Sequence, residues 1–337
     1  MPPQAIVRPI TPLDLPLVHR MIGARLPLDM CGELTRGAPG LEETFLSAVP
    51  LASWGAPTFV LRNEENAYVG QFRHRADRTA ARLTFLAPAP EGEAPVAWIT
   101  LLETMTQEAG KRGAHLLSAE VHQQHPSFQL FRQAGFAVYA RQIILCREPQ
   151  ALHKGNGHMV RPETAQDAFA VGVLQTNTVP QLLQQAEARL PFAGSRGLVY
   201  EQSGQVVGYL ALVEGKNGVV IKPYFHPEAY EHVADVVLAA LHHIPRATEV
   251  PVYVYVRAYQ DWLRSILERI AFSTWAQQAL MVKYTTVRVQ RAQVAPVPEM
   301  HNQRLSPPVP NGPLPAQHAT EHVLGTLHSD PTPKVHQ

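Results

Sequence analysis

Hydrophobic and polar positions alternate along three short segments in the first third of the chain, which is the pattern of half-buried β-strands. The segments are "PTFVLRN", "AYVGQFRH" and "ARLTFLA", and the polar stretch "EEN" between the first two predicts a hairpin. Apolar residues then recur at helical spacing, which predicts an amphipathic helix before the strand "HLLSAEVH". The apolar face of this helix comprises Val96, Ile99, Leu102, Met105 and Ala109.

The same succession of patterns returns in the second half of the chain. "GLVYEQ" and "VVGYLALVE" flank the turn "SGQ" and predict a hairpin, and "NGVVIKPY" predicts the next strand. The strand "PVYVYVRA" comes after a second helix, with its valines on one face and its tyrosines on the other. The apolar face of that helix comprises Val233, Val236, Val237, Ala240, Leu241 and Ile244.

Two motifs repeat in the same order in both halves. "VRPITPLD", from Val7 to Asp14, returns as "VRPETAQD", from Val160 to Asp167, and its Thr-x-x-Asp predicts a helix N-cap. "LFRQAGFAVYARQIIL" returns as "ILERIAFSTWAQQALM", each a short helix, a turn and a last strand. Matches in the same order indicate a duplication. Each half is therefore predicted as β-α-β-β-β-α-β-α-β.

The repeat also predicts how the chain divides. A length of 337 residues fits two domains, which we place at residues 1–150 and 159–290 with a linker at 151–158. The segment 291–337 contains nine of the 30 prolines. We expect this Pro-rich tail to be disordered, because it has too little apolar content to form a core.

The order of elements, the opening motif and the closing "LFRQAGF" together resemble the GNAT superfamily of N-acetyltransferases. The resemblance extends from about Ala5 to Thr286, in two copies. It implies an α/β (α+β) fold of two tandem GNAT-like domains, each a mixed, splayed central sheet flanked by helices. It also implies that acyl-CoA enters between the fourth and fifth strands of such a sheet. The cofactor-binding residues that it implies are Leu86, Ala87, Gly92, Glu93, Ala94, Val96, Gln124 and Phe131.

The predicted pyrophosphate loop of the first half, within "FLAPAPEGEAPVAW", departs from the glycine-rich pattern of the family. With Pro88 as the anchor, Gly92 matches a family glycine, whereas Glu91 stands where the family has Arg or Gln. Pro95 removes one amide donor. A carboxylate about 5 Å from a phosphate costs roughly 1 kcal/mol in water. The simpler interpretation, which we favour, is that Glu91 and Glu93 stabilise the N-terminus of their own helix.

The second half departs further from the family loop. With Pro223 as the anchor, the equivalent positions are His226, Pro227, Ala229 and Glu231, without a glycine. Both loops therefore indicate the remains of a phosphate site, more clearly in the second half.

The catalytic residues implied by the resemblance are also incomplete. The general-acid Tyr of many family members is replaced by Phe131 and by Leu267, neither of which can donate a proton. For a general base, Glu120 and His122 on the fifth strand are the best candidates. The alternatives are that Glu120 is an outward-facing strand residue, which we favour, and that His122 is a solvated loop histidine.

Composition changes this picture little. A formal net charge of +1 favours neither a nucleic-acid nor a membrane partner. The two cysteines, Cys31 and Cys146, are predicted to be buried thiols, and no cluster has the spacing of metal ligands. No signal peptide or long apolar span is evident, so we expect a cytoplasmic protein.

Three hypotheses remain open from the sequence, one of them a structural half that supports an enzyme half whose cofactor loop has an unusual form. The first is an N-acyltransferase of the GNAT type, with acetyl-CoA or another acyl-CoA as co-substrate and a small-molecule or peptide amine as acceptor. Gly92 and Glu120 favour the first half as the active unit. The alternative is a catalytically degenerate tandem GNAT fold that acts as a ligand-binding or protein-interaction module. The sequence does not address the oligomeric state.

Overall fold

The computed structural model describes residues 6–37, 56–63, 66–75, 78–91, 96–152, 157–187 and 196–285. Contacts divide the chain into two units, Met1–Arg288 and Val289–Gln337, and all the described residues lie in the first. The predicted disordered tail, 291–337, lies outside the described residues. Within the described ranges, none of the helices combines the length and the apolar character of a membrane span.

The first half follows the predicted order of strands and helices. Its elements are β1 (Val7–Pro9), α1 (Leu15–Ile22), β2 (Leu26–Pro27), α2 (Met30–Arg36), β3 (Thr58–Arg62), β4 (Ala67–Arg73), β5 (Ala80–Ala87), α3 (Val96–Lys111), β6 (Leu116–His122), α4 (Ser127–Gln133) and β7 (Ala137–Arg147). The short elements β2 and α2 were not predicted, because two to seven residues are too few to establish a hydrophobic period.

The second half repeats this order. Its elements are β8 (Arg161–Pro162), α5 (Ala168–Thr178), α6 (Gln181–Ala186), β9 (Arg196–Gln202), β10 (Gln205–Glu214), β11 (Val219–Phe225), α7 (Val233–His242), β12 (Val252–Arg257), α8 (Trp262–Arg269) and β13 (Ser273–Tyr284). Pro223 was used as the anchor of the second loop because the matching proline of the family follows the fourth strand. In the structure Pro223 lies inside β11, where it pairs with Leu210. This position is possible because β11 diverges from its other neighbour here, so no ladder donor is needed.

The Thr-x-x-Asp motif forms the predicted cap in both halves. Asp14 accepts hydrogen bonds from the backbone N–H and the hydroxyl of Thr11 and pairs with Arg8 at 2.6 Å. Asp167 makes the same contacts with Thr164 and Arg161. The hydrogen bond from Arg8 holds the pKa of Asp14 well below its usual range. The repeat therefore encodes one local structure twice.

The strands of both halves form one mixed sheet. Its order is β1-β3-β4-β5-β6-β13-β7-β12-β11-β10-β9-β8, with β2 beside β5. The mixed sheet flanked by helices, in two tandem copies, confirms the predicted fold class. The sequence did not predict that the two copies would be continuous.

The continuity comes from an exchange of the last strands. β13, which closes the second half in sequence, lies between β6 and β7, whereas β7 lies between β13 and β12. Gln142 and Gln278 occupy equivalent positions of the repeat, 136 residues apart, and they pair with each other across β7 and β13. A local two-fold axis therefore passes between these two glutamines.

Helices cover both faces of the sheet. In the first half, α3 and α4 bury their apolar residues against β3, β4 and β6. The observed core face of α3 is rotated from the predicted one, because Trp98 and Leu101 are buried whereas Val96 is 78% exposed. In the second half, the valines of β12 share one face, as predicted, and α7 and α8 cover that face.

Candidate active site

The first half contains the divergence of strands that the resemblance implies. Its fourth and fifth strands, β5 and β6, pair in parallel only from Ala80–Arg82 to Leu116–Ser118. Beyond these residues the two strands separate. In the GNAT fold this opening is where acyl-CoA is expected.

Residues 24–30 of the same chain fill this opening. Leu26 and Pro27 pair with Leu86 and Phe85 on β5. Leu28, which is fully buried, donates its N–H to Thr84 O at 2.9 Å. The carbonyl oxygen of Leu28 accepts the N–H of Glu120 on β6 at 3.0 Å. The segment therefore bridges the two separated strands and uses backbone groups that a ligand would need.

The side chain of Glu120 binds the filling segment, residues 24–30, by a hydrogen bond. Its side chain is buried, at 7% exposure, so the favoured alternative of an outward-facing residue is wrong. Its Oε2 accepts the N–H of Met30 at 3.0 Å, and its Oε1 lies 3.9 Å from Arg82 Nη1. Arg82 also lies 3.4 Å from Asp29. Burial opposes ionisation of Asp29, but the charges of Arg82, Arg73 and Lys222 together with the N–H of Gly32 outweigh it and lower the pKa of Asp29.

The other sequence-predicted residues of the first half that the structure describes are either exposed or part of the core. His122 is exposed at the end of β6, and its Nδ1 accepts the N–H of the exposed Gln124. Phe131 is fully buried against Phe136, at 5.0 Å between ring centroids. Leu86 and Ala87 are buried on β5. Gly92, Glu93 and Ala94 lie outside the described residues, and Val96 is exposed at the start of α3.

The corresponding opening of the second half has no such filling segment in the described part of the chain. β11 and β12 pair in parallel from Val219–Ile221 to Val252–Val254 and then separate. A small pocket lies at the separation, with an enclosed volume of about 10 Å³, which is room for about one water. It is lined by Glu187, Lys222, Pro223, Tyr224, Tyr255, Arg257, Tyr259 and Gln260.

The pocket has a buried ion pair at its base. Arg257 Nη2 lies 2.6 Å from Glu187 Oε1, and Arg257 Nη1 donates to Gln142 Oε1 on the exchanged strand β7. Gln260 donates its side-chain amide to Pro223 O at 2.8 Å and closes one end of the opening. Burial would lower the pKa of Arg257, but the nearby acidic groups, Glu187 first among them, together outweigh it and raise that pKa.

The hydroxyl of Tyr255 in the pocket wall is unsatisfied. Tyr255 Oη is buried and has no hydrogen-bond partner among the residues that the structure describes. The side-chain ammonium of Lys222 lies 5.5 Å above the ring of the same tyrosine. A buried hydroxyl without a partner is uncommon and points to a ligand or a water.

The turn after β11 uses its own amides. His226 O accepts the N–H of Ala229 at 2.9 Å, and His226 Nδ1 accepts the N–H of Glu228 at 3.4 Å. Pro227, at the first position of the turn, has no N–H to give. The backbone N–H groups of this turn are therefore hydrogen-bonded within the turn. In this respect it differs from a glycine-rich phosphate-binding loop, as the sequence predicted.

The chain is similar to GNAT-type N-acetyltransferases of known structure. A GCN5-related N-acetyltransferase from Sphaerobacter thermophilus matches with a TM-score of 0.49 at 15% identity, covering 85% of this chain and 97% of that one. A tandem GNAT protein from the clavulanic acid biosynthesis pathway matches with a TM-score of 0.49 at 14% identity, covering 84% and 99%. A GCN5-related N-acetyltransferase from Anabaena variabilis matches with a TM-score of 0.45 at 10% identity, covering 84% and 73%.

Comparisons of sequence gave no match. No family model matches the chain, and no curated protein matches it.

The sequence did not predict the pocket between β11 and β12. Arg257 and Tyr255 stand in "YVYVRAYQDW", where a valine-tyrosine alternation was sufficient to explain them as strand residues. Glu187 comes from the end of α6, which was not predicted. The available signal was the buried arginine, because a charged residue in an otherwise apolar strand needs a partner. Within the described ranges, no group of His, Cys, Asp or Glu could hold a metal ion.

Proposed function

We propose that the protein is an acyl-CoA-dependent N-acyltransferase of the GNAT type and that its second half is the working unit. The observation that supports this assignment is the different state of the two openings. Between β5 and β6 the opening is filled by Leu28 and its neighbours, whereas between β11 and β12 it leads into a polar pocket. The sequence favoured the first half, but it had no signal for the filling segment.

The second half also supplies a group for proton transfer. Glu187 is half-buried in the pocket wall, next to Arg257. In this proposal the acceptor amine loses its proton to the carboxylate of Glu187 as it attacks the acyl group. The acyl carbon forms a bond to nitrogen, and CoA leaves as the thiolate. Acetyl-CoA as co-substrate and an amine as acceptor are part of the proposal.

The experiment compares Glu187 with Glu120, a buried glutamate of the first half that binds the filling segment. Acetyl-CoA is mixed with the full chain and a panel of amines, and release of free CoA thiol is followed. Glu187→Gln should slow amine-dependent release by about 100-fold or more, since general-base catalysis contributes about 10²–10⁴. The matched variant of the first half, Glu120→Gln, should retain the rate. Loss of activity in Glu120→Gln alone would assign the reaction to the first half.

A catalytically degenerate binding module is the second candidate. The turn at His226 uses the amides that would meet a diphosphate, and Leu267, at the position of the family's general acid, is fully buried in the core. On this alternative, calorimetry would detect ligand binding in the second half, and thiol release would not exceed the background with any amine.

A further inference from the structure

Side chains bridge the opening between β11 and β12 at two levels beyond the point where the strands separate. The inner bridge is the buried side chain of Gln260, which donates its amide to Pro223 O at 2.8 Å. The outer bridge is a pair of aromatic rings, those of Tyr230 and Trp262, whose centroids lie 3.9 Å apart. Tyr230 lies in the turn after β11, Pro227–His232, and Trp262 begins α8, which follows β12. The ring pair therefore joins the two segments that continue from the separated strands.

The two rings of this pair are supported differently. Tyr230 is 39% exposed, whereas Trp262 is partly buried and packs against the core beneath α7 and α8. Trp262 is thus the fixed ring, and Tyr230 is the ring that can rotate away into solvent. An aromatic pair contributes a free energy that corresponds to about 2- to 10-fold in an equilibrium constant. Separation of the rings therefore requires only a small part of the binding free energy of a tight ligand.

One ring of the pair has no aromatic counterpart in the repeat. The closing motif aligns Leu267 with Phe131, and the same offset aligns Trp262 with Pro126. The opening of the first half is instead bridged by backbone hydrogen bonds of residues 24–30. The two openings are therefore closed in different ways, the first by backbone and the second by side chains, which can rotate.

From this arrangement we infer that Tyr230 and Trp262 form a gate through which acyl-CoA enters the second half. The inference rests on the proposed function, since the fold implies that acyl-CoA lies between the two separated strands. The chain that links the thioester of acyl-CoA to its nucleotide must pass from between the strands to the surface, and the ring pair closes this route. Acyl-CoA therefore binds only to molecules in which the rings have parted, and the closed fraction lowers its apparent affinity.

The test measures binding of acetyl-CoA to the full chain by calorimetry, with no amine present. Tyr230→Ala removes the exposed ring of the gate and leaves the core intact. Since the open form no longer competes with a stacked form, acetyl-CoA should bind about 2- to 10-fold more tightly. Tyr230→Phe keeps the ring and should bind as the unchanged protein does. Acetyl-CoA should also change the tryptophan fluorescence of the unchanged protein, and this change should be lost in Trp262→Phe.

Trp275→Ala is the matched control, because Trp275 is 45% exposed and contacts one ring, that of Tyr253, but lies on β13 and outside the segments that the gate joins. Its affinity for acetyl-CoA should be unchanged. The inference is overturned if Tyr230→Ala binds no more tightly than the unchanged protein, or if Tyr230→Phe or Trp275→Ala gains as much affinity. It is also overturned if the fluorescence change persists in Trp262→Phe.

These outcomes reject only the gate, because acetyl-CoA still binds and the transferase remains. Tighter binding by Tyr230→Ala without amine-dependent release of thiol from any of the proteins would reject only the transferase. Failure of acetyl-CoA to bind to the unchanged protein and to every variant would reject both.

Discussion

Leu28→Ala tests whether the segment in the first opening is an integral part of the core. Leu28 is fully buried and packs in the same cluster as Leu26, Leu86 and Trp98. Replacing a buried leucine by alanine removes its transfer free energy and leaves a cavity, which together cost 2–5 kcal/mol. The backbone hydrogen bonds of residue 28 to Thr84 and Glu120 are unchanged by the substitution. We therefore expect a loss of about 3 kcal/mol in the free energy of unfolding.

The assay is urea unfolding followed by circular dichroism, with the midpoint compared at unchanged slope. Leu13→Ala is the matched control, because Leu13 is 89% exposed and its truncation should change stability by less than about 0.5 kcal/mol. A cost below about 1 kcal/mol for Leu28→Ala would refute the reasoning. It would mean that the segment does not occupy the gap in solution, and the first half would again be open to acyl-CoA.

Two further predictions concern stability. The hydrogen bond from Arg8 lowers the pKa of Asp14 in the folded protein below its value in the unfolded chain. The stability that this pair contributes is therefore present above the unfolded-state pKa, and it is lost as the pH falls through the folded-state pKa. Urea midpoints of the protein and of Asp14→Asn should therefore converge on acidification, and a constant difference from neutral to acidic pH would contradict this. In Gly215→Ala, the added Cβ would lie 2.2 Å from Thr35 O, so thermal unfolding should begin well below that of the unchanged protein. Gly172→Ala is the control: it adds a Cβ in open space within α5 and should stabilise by about 0.5–1 kcal/mol, and equal effects of both substitutions would refute the close approach.

The repeat predicted most of the fold because its signals are local. The Thr-x-x-Asp caps, the hairpins and the valine face of β12 each depend on neighbours within a few residues. The exchange of β7 and β13 left no such signal. A last strand has the same alternation whether it joins its own half or the other one. Only the pairing of β13 with β6 and of β7 with β12 distinguishes the two arrangements.

The candidate site was less predictable, for a related reason. Whether an opening is empty depends on where a distant segment of chain is placed. Leu26–Pro27 is a strand of two residues, and its position beside Leu86 depends on packing and not on any period. The residue types alone establish that Phe131 and Leu267 cannot donate a proton, and the role of these two positions stays a prediction. The polar groups of the pocket come from the end of α6, from β11, from β12 and from the turn after β12. Sequence spacing does not bring Glu187 and Arg257 together.

The exchanged strands also determine when this protein can fold. On a ribosome, the first half is synthesised to Arg147 well before β13 emerges, and until then β6 has one edge without its partner. The pair between Leu116 on β6 and Tyr284 on β13 can form only after almost the whole described chain has been synthesised. Such long-range pairing slows folding and exposes a strand edge to other nascent chains. Two molecules of a single ancestral half could have exchanged their last strands in the same way, as a dimer. Fusion of two gene copies would then have made this strand pairing intramolecular.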